Sequence, residues 1–306
     1  MVSKTYLKEV IMFNSMVVWP IVSALWAAIG FVGHDVSLLS INPVQQAFIN
    51  RYVIKQDVLD HFKPHELRSW ASTDIGYLND VLKEEGYDIC LQETPDTAFG
   101  VVSILDIAVQ WPCKGEPAAL TSAQDNRTYP MVIMEPYKRN FHFEYKSAHY
   151  CPIVYCRTTT DDVVCMAMLN EVDQQLDASA MLELIDKINN CTTINKVLLR
   201  YDRLIFPMIK YESTVALGWL KGLRIGDYHL IDQAVQQTKF SMDEVGAHAQ
   251  SAVAAIIEEE MGKMHYDFII DKPFLLWIMR PGVQDPIFAA YLPCSCWQDP
   301  KVSGGK

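Results

Sequence analysis

The hydrophobic pattern changes character along the chain. Val10–Gly33 (VIMFNSMVVWPIVSALWAAIGFVG) carries no charge and follows Lys4 and Lys8, so read alone it is either a membrane anchor or a buried helix. Pro20 favours the buried helix, because the first helical turn tolerates a missing N–H. Residues 45–95 are polar, and QDVLDHF and IGYLNDVLKEEGY place apolar side chains three and four apart, which predicts a largely helical region. From Gly100 the runs shorten and alternate. VVSILDIAV, MVIM, FHFEY, CPIVYC and DVVCMAML predict strands, cut by turns at DNRT and RTTTDD. ASAMLELIDKI predicts an amphipathic helix, VLLRYDRLIF a strand and ESTVALGWLKGLRI a mostly helical segment. FIIDKPFLLWIMRPGVQDPIFAAYLP predicts two buried strands joined by a Pro-Gly turn. Helices followed by strands, without βαβ alternation, indicate an α+β fold.

Gly246–Lys263 (GAHAQSAVAAIIEEEMGK) is the ambiguous stretch. Its residues are good helix formers, yet it lacks Pro and its alternate positions Ala247, Ala249, Ser251, Val253 and Ala255 are all small and uncharged. On a strand those five share one face, and burying them demands little space and no ion.

The chain of 306 residues has a formal charge of −11 and no cluster of Lys and Arg, which argues against a nucleic-acid partner. Cys90, Cys113, Cys151, Cys156, Cys165, Cys191, Cys294 and Cys296 are scattered, a usage that suits a reducing compartment. Asn126-Arg-Thr and Asn190-Cys-Thr match the glycosylation sequon and matter only on secretion. His61 and His65 have helical spacing for a metal, but Pro64 between them disfavours that helix, so no metal and no cofactor are expected. There is no G-x-S-x-G, Walker loop or H-E-x-x-H, and Glu84-Glu85 and Asp161-Asp162 read as exposed faces or turns, so no enzyme is expected.

Phe268-Ile-Ile-Asp271-Lys272-Pro273-Phe274, followed by Pro286-Ile-Phe288-Ala-Ala-Tyr-Leu-Pro293, resembles the C-terminal signature of the serpins. Val102–Trp111 resembles that family's third strand of the large sheet, ending in its tryptophan. Phe206-Pro-Met-Ile-Lys-Tyr-Glu212 is similar to another family strand, and Leu220–Tyr228 to the helix and turn after it. Pro20–Gly33 has the spacing of the family's buried second helix, which resolves the membrane alternative in favour of a core helix. The resemblance covers residues 14–33 and 100–293 and implies one serpin-like domain over 1–306. It further implies that residues 34–99 are shortened, that 244–267 would form a reactive-centre loop and that 294–306 would be a tail. Compact poxvirus serpins of the cytokine response modifier type are trimmed in a similar way.

The resemblance implies a loop that a target protease cuts and that then inserts into the central sheet as a new strand. Glu244, Gly246, Ala247, Ala249, Ser251, Val253 and Ala255 would form the hinge. The bond attacked would be Glu259–Glu260 or Glu260–Met261, an acidic bait for a serine or cysteine protease with a basic pocket. The resemblance maps the family's polar network beneath the sheet onto Trp19, Val22, Ser103 and Gln236, so the whole network is altered together, and apolar replacement in such a network can leave the fold stable while removing the switch. Val245 stands where a second hinge Glu is usual, and Gln236-Gln237-Thr238 replaces a His-Lys-Ala run. Two readings follow: a protease inhibitor, monomeric, cytoplasmic (in a host cell if viral) or secreted; or a non-inhibitory serpin-fold protein that binds a host or cellular partner.

Overall fold

The structure is a computed structural model that describes residues 15–33, 36–54, 56–92, 99–121, 127–135, 140–147, 149, 151–169, 178–192, 201–247 and 266–298. The helices are α1 (Trp19–Val32), α2 (Pro43–Phe48), α3 (Ile75–Glu84) and α4 (Ala178–Asn189). The early strands are β1 (Ser15–Met16), β2 (Leu38–Leu39), β3 (Leu67–Ser72), β4 (Gly100–Leu105), β5 (Val109–Gln110), β6 (Glu116–Thr121) and β7 (Thr128–Met134). Then come β8 (Phe141–Glu144), β9 (Ile153–Arg157), β10 (Val163–Met168), β11 (Arg203–Pro207), β12 (Ile209–Ala216), β13 (Arg224–Ile225) and β14 (His229–Leu230). The last are β15 (Val235–Met242), β16 (Gly246–Ala247), β17 (Asp267–Ile269), β18 (Phe274–Met279) and β19 (Phe288–Leu292). The chain divides into two compact units: Val17–Ile107 with Ser213–Thr238, and β1 with Ala108–Glu212 and Lys239–Lys306.

In the first unit the antiparallel pair β3–β4 is covered on both faces. Alternation sends Val102 and Ile104 to one side, where Ile75, Leu78 and Leu82 of α3 close over them. Asp74 caps α3, its Oδ1 accepting the Tyr77 N–H at 3.0 Å. The residues between, Ser69 and Ser103, are paired in register and face α1. That helix starts with Pro20 in its first turn and ends at Gly33, whose φ of 147° suits glycine and whose N–H reaches the Ile29 carbonyl. Its buried residues Trp19, Val22, Leu25, Ala28 and Ile29 make it the core helix expected of Pro20–Gly33. No helix among the described residues is long and apolar enough to cross a membrane.

In the second unit a six-stranded sheet, order β1-β19-β18-β10-β9-β8, buries one face under α4. Met181, Ile185 and Ile188 project from one side of that helix onto Ile153, Cys165, Leu275, Trp277 and Ala289. The two strands expected in the tail are β18 and β19, antiparallel from Phe274↔Leu292 to Ile278↔Phe288, with Gly282 at φ 84° in the turn. A second sheet has the order β17-β11-β7-β6, and a third β12-β15-β16-β5. Cys156 on β9 and Cys165 on β10 are buried thiols, and Cys165 lies in the core under α4.

Three expectations need correction. ESTVA is the end of β12, where burial alternates along the strand and sheet pairing overrides helix propensity. The helical region 45–95 contains a strand, β3, alongside its helices. Val102–Trp111 is broken at Asp106–Ala108 into β4 and β5, with the Asp106 N–H turned to the Glu66 carbonyl.

Candidate functional site

The second unit holds the start of the predicted hinge. Along β15, Phe240 and Met242 are buried, while Lys239 before them is exposed and Ser241 between them is half-buried, so the strand has a clear inner face. After Met242 the chain turns sharply. Asp243 makes the turn: its N–H donates to the Gly246 carbonyl at 2.8 Å, while its Oδ1 accepts the N–H groups of Val245 (2.8 Å) and Gly246 (3.2 Å). Burial raises the Asp243 carboxyl above its ordinary value, and those two backbone bonds oppose the shift.

The chain then runs back as β16 between β15 and β5. Ala247 lies opposite Met242 on one side and Val109 on the other, and Gly246 lies opposite Gln110. The pairing sets the backbone of Ala247 against that of Met242, which is 1% exposed. Gly246 has no room for a side chain. A Cβ there would strike the Val109 carbonyl oxygen and lie 2.8 Å from the Gln110 Cα.

Trp111 bolts the turn down. Its N–H donates to the Val245 carbonyl (2.9 Å) and its indole N–H to the Asp243 carbonyl (2.9 Å), while its ring meets Phe206 edge-on. Gly115 N–H donates to the Glu244 carbonyl at 2.7 Å. The buried Glu244 carboxylate faces Lys114 Nζ at 3.2 Å. On the far side of β5, the Gln110 carbonyl accepts the Thr159 N–H at 2.7 Å. Thr158 Oγ1 ties that turn to the Asp162 carbonyl, and the Asp162 carboxylate forms a bidentate pair with Arg280 at 2.7 and 2.8 Å, both side chains buried.

The first unit contains a polar seam that sequence reasoning missed. Ser23 Oγ on α1 meets Ser69 Oγ on β3 at 2.6 Å, which in turn donates to Ser103 Oγ on β4 at 2.8 Å. Gln236 Nε2 donates to the Val17 carbonyl at 2.8 Å, just before α1. The altered positions are therefore of two kinds. Trp19 and Val22 are buried and apolar, but Ser103 and Gln236 are hydrogen-bonded, and the helix contributes a serine one residue after Val22.

Comparison with solved structures matches this arrangement over almost its whole length. A thyroxine-binding globulin in complex with thyroxine aligns at 12% identity and TM-score 0.55, covering 91% of this chain and 91% of that one. Glycosylated human kallistatin gives 12% and 0.55 over 91% and 90%, and a serpin from Schistosoma mansoni 13% and 0.52 over 89% and 98%. The chain has the serpin fold. No protein-family model matches the sequence, and no curated protein matches it. At these identities the likeness reaches the serpin fold and stops short of a subfamily.

Of the residues predicted to act, Glu244, Gly246 and Ala247 come together at the β15–β16 turn. Ala249, Ser251, Val253, Ala255, Glu259, Glu260 and Met261 lie outside the described residues. Asp243, Lys114 and Arg280 were not anticipated. Trp111 was visible as the end of a family strand, and Lys114 three residues on is the one signal that a cation would sit beside Glu244. Among the described residues no group of His, Cys, Asp or Glu is arranged to hold a metal ion.

Proposed function

We propose that the protein is a serpin-type protease inhibitor whose loop, once cut, inserts as a central strand behind Gly246–Ala247. The pairing of Ala247 opposite buried Met242 carries this reading. Continued in the same register, it sets Ala249 opposite Phe240 and sends Ser251, Val253 and Ala255 to the same inner face, so all the small residues enter and no charge is buried. The bait is acidic, Glu259 before Glu260 or Glu260 before Met261, and fits a serine or cysteine protease with a basic pocket. Residues 1–306 act as one serpin-like domain and as a monomer, with the compact poxvirus type as the narrower analogy.

The second reading is a non-inhibitory serpin-fold protein that binds a partner through its surface. Trp19 and Val22, both buried where family serines are usual, favour it, and one neighbour of the same fold carries a hormone.

Incubation with granzyme B, caspases and a glutamyl endopeptidase separates the two. An SDS-stable adduct and a large gain in thermal stability after cleavage are expected of the inhibitor. Clean cleavage with neither excludes insertion. Ala249→Arg should abolish the adduct and leave cleavage intact, because insertion would carry an unpaired cation to the inner face opposite Phe240.

A further inference from the structure

The run Gln236-Gln237-Thr238, which replaces the family's His-Lys-Ala, has a consequence in the first unit that the inhibitor reading does not use. After α3 the chain is extended from Tyr87 to Gln92, with Tyr87, Ile89 and Leu91 packed on the α3/β4 core and Asp88, Cys90 and Gln92 facing out. The backbone of this stretch is tied down by side-chain amides. Gln237 Oε1 accepts the N–H groups of Asp88 (2.9 Å) and Ile89 (3.3 Å). Gln233 Oε1 accepts the Gln92 N–H at 3.1 Å and its Nε2 donates to the Gln92 carbonyl at 2.9 Å. Asn79 on α3 does the same for Leu91, accepting its N–H at 2.8 Å and donating to its carbonyl at 3.0 Å.

Gln233 and Gln237 are four residues apart on an extended chain and so share one face; their targets Gln92 and Asp88 are four apart in the opposite direction. The stretch thus lies antiparallel to residues 233–237 through side chains. A side-chain amide has free rotamers, and each clip can open without disturbing any strand register.

We infer that Tyr87–Gln92 is a releasable strap, latched by Gln233 and Gln237 across the beginning of β15, and that it lifts as a unit when that part of the strand gains a new neighbour. The last clause rests on the insertion reading; the latch itself does not.

Hydrogen exchange resolved to single amides on the full chain tests it. In the unaltered protein the amides of Asp88, Ile89, Leu91 and Gln92 should exchange with one common opening constant, faster than those of Val102 and Ile104. In Gln233→Ala/Gln237→Ala all four should exchange at least about thirtyfold faster, the loss expected when the four neutral hydrogen bonds of the two clips are removed. Leu91 is the discriminating probe. Its acceptor, Asn79, is untouched, so it accelerates only if the strap moves as one piece. Unchanged protection at Leu91 with faster exchange at Asp88 and Ile89 would overturn the latch. Four unequal opening constants in the unaltered chain would do the same, even if the double variant failed to fold. A separate arm follows the gain in thermal stability after loop cleavage, expected to develop severalfold faster in the double variant. An equal rate would show that the strap is not in the insertion path, and no gain in either protein would remove the insertion reading while leaving the exchange result to stand.

Discussion

Two short extended stretches in this molecule satisfy their backbones in opposite ways. Gly246–Ala247 is held by strand backbone on both sides, between β15 and β5. Asp88–Gln92 is held by the amides of Asn79, Gln233 and Gln237. The first arrangement fixes register and leaves no space, down to the missing side chain of Gly246. The second rests on side-chain bonds, whose opening would leave every strand register intact. Backbone pairing that fixes register at one stretch and side-chain pairing that can be undone at the other are what a protein needs if one segment is to stay anchored while another gives way.

The comparison can be broken most forcefully through its buried support. Arg280→Leu leaves the Asp162 carboxylate buried without its bidentate partner, beneath the turn whose Thr159 N–H holds β5. A loss of about 3 kcal/mol or more in denaturant unfolding is expected. A loss below about 1 kcal/mol would mean the pair does not support β5.

Gly246→Ala attacks the fixed stretch directly. The new methyl meets the Val109 carbonyl, and the backbone must shift or the β16 pairing must open. Destabilisation of about 2 kcal/mol is expected, in the range of overpacked sites, together with faster amide exchange at Trp111, whose N–H bonds the Val245 carbonyl. Gln237→Ala attacks the clipped stretch and should be milder, about 1 kcal/mol, since each bond it removes is neutral and partly exposed. Reversal of that order would refute the contrast between the two stretches.

The smallest effect concerns pH. Burial raises the Asp243 carboxyl above its ordinary 3.8, so the folded state holds this proton more tightly than the unfolded chain. Its contribution is therefore fully present below 3.8 and is lost as pH rises through the raised value. The melting temperature of Asp243→Asn, minus that of the unaltered protein, should climb across the window just above 3.8 and level off beyond it. A flat difference would show that the turn carboxylate titrates normally.

Much of this architecture was legible in the chain. The apolar runs of β18 and β19, the uncharged α1 with its early proline, and the face of α4 each carry their own periodicity, and burial follows it. What could not be read depends on distant partners. β12 carries helix formers but lies in a sheet. Ser23, Ser69 and Ser103 are single hydroxyls on three elements, with no spacing to link them until the helix lies on the strands. Gln237 is legible as a substitution, but Gln233 and the targets of both, about 140 residues earlier, are not.

The sealed thiols give the molecule an internal clock. Burial holds Cys156 and Cys165 far above the usual cysteine range, so no thiolate forms while the six-stranded sheet stays closed. Cys90, out in solvent, offers its sulfur at once. An alkylating reagent applied to the native protein therefore keeps two times, counting surface encounters at one position and whole-molecule excursions at the other two.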